Sequence, residues 1–223
     1  MKTKILIQLS LCLAFVMVSC SNEPLTDSAT DSESLLKARN HSSTSIVYPH
    51  NGEESGTSTL HRSKNGVTIN FKVENLTPGY AYTLWWVIWN NPGNCGVPNA
   101  CLDTDFGIAD QVAVEVLYAT GHVIGNSGKG NFSAHLSVGD DSGSINSLFG
   151  LPPAGGLQSG NAFGAEVHAV LRSHGPAVPG VVDEQINSYN GGCAVQLGVF
   201  TGNIPDEVGE CGDILAAIHA PVN

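Results

Sequence analysis

The feature that most constrains this chain is a strict two-residue alternation. Val67, Ile69, Phe71 and Val73 are apolar, and Thr68, Asn70, Lys72 and Glu74 between and after them are polar or charged. Successive side chains of an extended strand point to opposite faces, so the segment predicts an antiparallel strand with one face on a core and one in water. Phe132, Ala134, Leu136 and Val138 repeat the pattern against Ser133, His135 and Ser137, which puts His135 on the solvated side. Ala165, Val167, Ala169 and Leu171 repeat it against Glu166, His168, Val170 and Arg172. Helical periodicity never extends beyond a turn or two. With 26 Gly and 11 Pro among 223 residues and only 13% charged side chains, long helices are disfavoured as well. The expectation is an all-β fold, an antiparallel β-sandwich with long Gly/Pro-rich loops.

Tyr80 to Trp89 is apolar on both faces. Tyr82, Leu84, Trp86 and Ile88 share one face, and Trp85, Val87 and Trp89 share the other. Only a central strand, or one whose outer face meets a ligand or partner, carries such a pattern. Trp85 and Trp89 are therefore candidates for an aromatic platform that binds a carbohydrate or a protein ligand; the competing reading is that the tryptophans fill both sides of a core. Asn75-Leu76-Thr77-Pro78-Gly79 before this run supplies a turn. That turn, followed by Tyr82-Thr83-Leu84, resembles the turn-and-strand of fibronectin-like and other extracellular sandwiches. The resemblance implies an immunoglobulin/fibronectin-like architecture.

Val112 to Tyr118 is a buried-strand run interrupted by Glu115, and Gly121 to Ile124 follows it. Gly125 to Gly130 reads as a hairpin loop. Gly139 to Gly164 reads as a long connection with at most one short element near Ile145 to Phe149, the kind of loop where binding occurs. Ile214 to Ala220 suits a last strand, or a short helix capped by Asp213. The stretches Gly121 to Asp140 and Ala165 to Cys193 resemble exported bacterial proteins without an assigned activity, so the resemblance carries over no functional residue.

The N-terminus reads as an export signal. Met1-Lys2-Thr3-Lys4 is basic, and Ile5 to Val18 is a mainly apolar run of about 14 residues, too short to span a bilayer stably. Ending on Met17-Val18-Ser19-Cys20, it resembles a bacterial lipoprotein signal peptide. The resemblance implies cleavage before Cys20, acylation of that cysteine and a lipid anchor in the bacterial cell envelope, facing the periplasm or the cell surface. An ordinary cleaved signal is the alternative. The expected organisation is a signal peptide at 1–19, a lipidated polar tether at 20–45 and a single sandwich domain at 46–223. Loss of Lys2 and Lys4 leaves 7 basic against 20 acidic side chains. No polybasic patch then exists to hold a membrane, so the attachment falls to lipid; nor can such a chain neutralise a run of phosphates, which excludes nucleic acid as a partner.

Beyond Cys12 and Cys20, four cysteines remain, Cys95, Cys101, Cys193 and Cys211. An even set in an oxidising compartment reads as two disulfides. Cys95–Cys101 and Cys193–Cys211 are the expected pairs, since each closes one short loop. A zinc site is the competing reading, but the tight two-residue spacing of zinc motifs is missing.

The most suggestive polar constellation is Glu166, His168, Arg172 and His174, which the alternation places on one strand face. Imidazole and carboxylate side chains can hold a divalent transition metal, with His122 or His219 joining from neighbouring strands. One strand cannot surround an ion, however, and neither a zincin helix, a nucleophile elbow, a P-loop nor a dinucleotide fingerprint is present. The functional expectation is an exported, lipid-anchored binding or structural domain without catalysis or cofactor. The alternative is a metal-binding protein or metal-dependent enzyme using Glu166, His168 and His174.

Overall fold

The computed structural model describes residues 41–49, 54–198 and 204–222. The expected signal at 1–19, the expected lipidation site Cys20 and the expected tether up to residue 40 lie outside the described residues. The alternation at 67–73 becomes β3 (Gly66–Val73), with Val67, Ile69, Phe71 and Val73 buried and Lys72 exposed. It pairs antiparallel with β2 (Gly56–Ser63) on one side and β6 (Gly130–Ser137) on the other. β1 (His41–Pro49) lies beyond β2. A second antiparallel group runs in the order β5 (Val114–Val123), β4 (Tyr80–Trp89), β7 (Glu166–Pro176), β9 (Glu210–His219). Tyr48 and Pro49 at the end of β1 pair with Ala216 and Leu215 of β9, so this strand passes from the first sheet to the second. The short β8 (Val195–Gln196) runs parallel to β9.

The tether was expected to extend to residue 45, but β1 begins at His41. Ser43 and Ser45 pair with Leu60 and Ser58 of β2. The segment lacks apolar residues, yet its backbone groups are satisfied by the ladder and its serines are exposed or only partly buried, so polar composition does not prevent a strand here. The Ile214 to Ala220 region is a strand and not a capped helix, because β7 and β1 flank it with ladder partners.

The inner faces of the two sheets enclose the main core. Leu60, Ile69, Phe71, Phe132 and Leu136 come from the first sheet, and Leu84, Trp86, Ile88, Val167, Ala169 and Leu171 from the second. Phe71 and Phe132, directly opposite in register, meet edge-to-face with centroids 6.4 Å apart. Residues 125–130 do not close a hairpin: β5 pairs with β4 and β6 with β3, so this segment crosses between sheets. The turn at 75–79 crosses beside it. Leu76 N–H donates to Gly128 O (2.9 Å) and Gly79 N–H to Ile124 O (2.8 Å). Gly128 has a φ of +66°, and a β-carbon there would come within 2.9 Å of Leu76 O, so the turn requires glycine.

One buried cation gave no sequence signal. Arg62 of β2 is fully buried and donates to the carbonyls of Ala162 (2.9 Å), Ala165 (3.0 Å), His219 (3.2 Å) and Ala220 (3.0 Å). Burial lowers its pKa to about 10. It ties the end of the long 139–164 connection and the end of β9 to the first sheet.

Candidate functional site

The outer face of the second sheet is not solvated. Trp85, Val87 and Trp89 of β4, Val114 and Val116 of β5, Val170 of β7 and Ala216 of β9 form a second apolar cluster. Three segments cover it. The first runs from Asn90 to α1 (Ala109–Val112) and contains the Cys95–Cys101 disulfide, Cα atoms 5.3 Å apart. Asp105 shapes this segment by accepting from Gly96 N–H (2.9 Å) and Leu102 N–H (2.8 Å). The second is the 139–164 connection, which includes a 3-10 turn at Asn146–Phe149. Glu115, the polar exception in β5, is fully buried and holds this loop by accepting from Ser144 Oγ, Ala154 N–H (2.8 Å) and Gly156 N–H (3.1 Å). The third runs through α2 (Val182–Asn187) to β8 and is pinned to β9 by the Cys193–Cys211 disulfide, Cα atoms 5.5 Å apart. Both disulfides are thus the expected pairs; Cys95–Cys101 closes a loop within the first cover segment, and Cys193–Cys211 ties the third to β9.

Between sheet and cover lies a cavity of about 180 Å³. Trp85, Val87, Val116 and Val170 line it from the sheet. Phe106, Phe149 and Tyr189 line it from the cover, and Asp103 and Asp213 are its acidic members. Tyr189 meets Trp85 (5.3 Å between centroids, 74°) and Phe149 (5.2 Å, 80°) in edge-to-face contacts. Phe106 lies nearly parallel to Phe149, at 6.5 Å.

Three of the polar groups around the cavity, Arg172, Asp213 and Tyr189, hydrogen-bond to one another. Arg172 Nη1 donates to Asp213 Oδ1 (2.8 Å), Nη2 to Gln196 Oε1, and Nε to Tyr189 O (2.9 Å). Its guanidinium also stands 3.9 Å from the centre of the Tyr189 ring. Tyr189 Oη donates to Asp213 Oδ2 (3.1 Å). Burial, reinforced by the Asp213 charge, pushes the Tyr189 phenol well above its usual range and keeps it protonated. Asp103 stands apart, making no hydrogen bond or ion pair with any described residue. Although the residue is exposed, partial desolvation beside the cavity holds its carboxyl above the usual range, with the His168 charge lowering it and the Asp213 charge raising it.

The structure separates the residues that one strand face had grouped. Glu166 and His168 meet near Trp89: His168 Nε2 lies 2.6 Å from Glu166 Oε1, which also accepts from Cys101 N–H (2.9 Å). Glu166 Oε2 is buried without a hydrogen-bond partner among the described residues. Trp89 is fully buried, with its ring nitrogen 3.5 Å from His168 Nδ1. His174, six residues further along β7 and so roughly 20 Å away at strand rise, belongs to another set of contacts. Trp85 Nε1–H donates to Thr83 Oγ1 (2.7 Å), Thr83 Oγ1 lies 2.9 Å from His174 Nε2, and His174 Nδ1 lies 2.9 Å from Gly191 O. With Thr83 donating to Nε2 and Nδ1–H donating to Gly191, a neutral imidazole satisfies every member of this relay. Burial accordingly lowers the His174 pKa to about 4. His219 lies in the main core with Ser43 and Ser58 hydroxyls at 3.0 and 2.8 Å from its two ring nitrogens, and burial lowers its pKa to about 4. His122 stacks on Phe132, centroids 4.2 Å apart. His135 is exposed and bonded to Thr68 Oγ1 (2.8 Å), as the alternation requires.

Among the described residues, two groups of three potential metal ligands lie within 4.8 Å of one another: His174, Cys193 and Cys211, and Cys95, Cys101 and Asp105. Each contains a disulfide, which ties up both sulfurs and leaves His174 or Asp105 as the remaining donor. Sequence reasoning placed Trp85 and Arg172 correctly by face, but it did not group Asp103, Phe106, Phe149, Tyr189 and Asp213, which reach the cavity from separate loops and β9. No helix among the described residues is long and apolar enough to cross a membrane. The sequence matches no known family model and no curated protein.

Proposed function

We propose that this protein is an exported bacterial domain, anchored to the cell envelope through lipid on Cys20, that works by binding a small, mainly apolar ligand and not by catalysis. The observation that carries the reading is the cavity of about 180 Å³ between the second sheet and its cover, walled by Trp85, Phe106, Phe149 and Tyr189. A dry cavity of about 150 Å³ accommodates a benzene-sized molecule, so this one suits a ligand built around one ring or a short branched chain. Its carbon-rich lining suits such a ligand better than the hydroxyls of a sugar. Leu102, Leu148 and Phe149, next to or among the lining residues, are exposed apolar groups at 55%, 56% and 42% exposure. Binding is favoured over catalysis because Arg172, Asp213 and Tyr189 are committed to one another. The immunoglobulin/fibronectin-like architecture and the tether from Cys20 belong to the same reading, with the antiparallel ladders and the basic-then-apolar N-terminus as their support.

The metal-dependent alternative draws on the Glu166–His168 contact and the unpartnered Glu166 Oε2. The preferred reading is tested by adding 2-phenylethanol to protein with labelled methyl groups. Methyl signals of Val87, Val116 and Val170 should shift, and Val116→Phe, which fills the cavity, should abolish the response. Unmoved methyl signals would overturn the binding reading. Zinc bound stoichiometrically and lost on His168→Ala would support the metal reading instead. Cys20→Ala should release the protein from the detergent phase into the aqueous phase; retention with membranes would refute the anchor.

A further inference from the structure

The charges around the cavity do not balance. Arg172 donates to Asp213, Gln196 and Tyr189 O, and its guanidinium is masked on one side by the Tyr189 ring. Asp213 gives one oxygen to Arg172 and the other to Tyr189. That pair is electrically closed. Asp103 lines the same cavity with no hydrogen-bond donor or ion-pair partner among the described residues; His168, whose charge favours the carboxylate, and Asp213, which repels it, are the titratable groups it feels. Glu166 is engaged by its 2.6 Å contact with His168.

The aromatic side chains point to the same kind of occupant. Trp85, Phe106, Phe149 and Tyr189 surround the space with rings whose faces carry negative quadrupole density, which attracts a cation and tolerates an apolar group equally well. An anion would be repelled by the Asp103 carboxylate, while Arg172 already faces its own counter-ion, Asp213. The volume excludes a large ligand.

We infer that the cavity takes a compact organic monocation, an ammonium carrying one aryl or short branched alkyl group, with the charged head at Asp103 and the apolar group against Trp85. This rests on the small-ligand reading above and specifies the ligand's charge. The ammonium replaces part of its hydration with the Asp103 carboxylate and the ring faces, and the apolar part leaves water altogether. Asp103 serves as the counter-ion and Trp85 as the platform.

The test compares three molecules of nearly equal size, phenethylammonium, 2-phenylethanol and 3-phenylpropionate, by titration calorimetry against the mature protein and its Asp103→Asn variant. Asp103 is exposed over much of its surface and makes no hydrogen bond, so the variant should fold. The cation should bind about tenfold more tightly than the alcohol, and the anion more weakly than either. Asp103→Asn should bring the cation down to the level of the alcohol and leave the alcohol unchanged. Equal binding of cation and alcohol, equal loss of both in the variant, or a preference for the anion would overturn the inference and leave the cavity reading standing. Binding of none of the three would overturn both.

Discussion

Removing the Asp213 carboxylate should strand a buried cation. Arg172 is 1% exposed and Asp213 6%, with the guanidinium and carboxylate 2.8 Å apart. Breaking a buried pair by deleting one partner costs about 3–5 kcal/mol, because the remaining charge keeps its desolvation penalty and loses its compensation. In Asp213→Ala the Tyr189 hydroxyl also loses its acceptor, which places this variant at the upper end of that range. For a domain of this size each kcal/mol shifts the midpoint by about 2–4 °C, so Tm should fall by roughly 10–20 °C. Arg172→Met removes the cation and leaves Asp213 still bonded to Tyr189, so it should cost somewhat less. The decisive quantity is the coupling. The double variant Arg172→Met/Asp213→Ala has neither charge, and its loss should be smaller than the sum of the single losses by at least about 2 kcal/mol, measured by urea unfolding. A coupling below about 0.5 kcal/mol, the size found for exposed pairs, would show that water reaches the pair and that the segment carrying Tyr189 and Gln196 does not seal it.

Breaking the Cys193–Cys211 bridge by the paired serine substitutions should cost about 3 kcal/mol by loop entropy, against about 2 kcal/mol for Cys95–Cys101, because the sequence separations are 18 and 6; calorimetry of the two variants should preserve that order, and a reversal would refute the entropic account. His174 and His219 have folded pKa values of about 4, below the ordinary 6.5 of an unfolded histidine. The unfolded chain therefore binds more protons between these values, so the stabilisation is complete above about pH 6.5 and declines as the pH falls toward 4. Urea midpoints should drop across that window, and His174→Asn should flatten the slope; an unchanged slope would remove His174 as a source. Glu115→Ala should leave two loop N–H groups without their acceptor, at about 1–3 kcal/mol each, and open the 139–164 connection to limited proteolysis. Unaltered cleavage kinetics would show that this loop is held elsewhere.

Much of the β-architecture was legible because facing in a strand is a local property. Val67, Ile69 and Phe71 had to point together whatever surrounded them, and Trp85 and Trp89 had to oppose Trp86. The disulfide pairs were legible for a related reason, since both closures are short. The hairpin expected at Gly125 to Gly130 failed because strand pairing is not local: the same turn residues serve a crossing between sheets. β1 escaped notice because Ser, Thr and His at 41–45 carry no apolar pattern, although the ladder to β2 satisfies their backbone. The candidate site was the least legible part. Its floor came from alternation in β4 and β7, whereas Phe106, Phe149 and Tyr189 come from irregular segments with no period to read.

Periodicity within each segment dictated which side chains share a face, since neighbouring residues in an extended chain have no choice of side. Whether a face meets water, a second sheet or a cover depends on segments distant in the chain. The face of Glu166, His168, Arg172 and His174 looked polar in isolation. Folding buried it under three loops, divided its members between a carboxylate contact, an ion pair and a neutral relay, and left beside them an apolar cavity whose lining includes Asp103, an acid without a hydrogen-bond partner among the described residues. Burial and pairing arise from long-range packing, and so they emerge only when the whole chain is assembled.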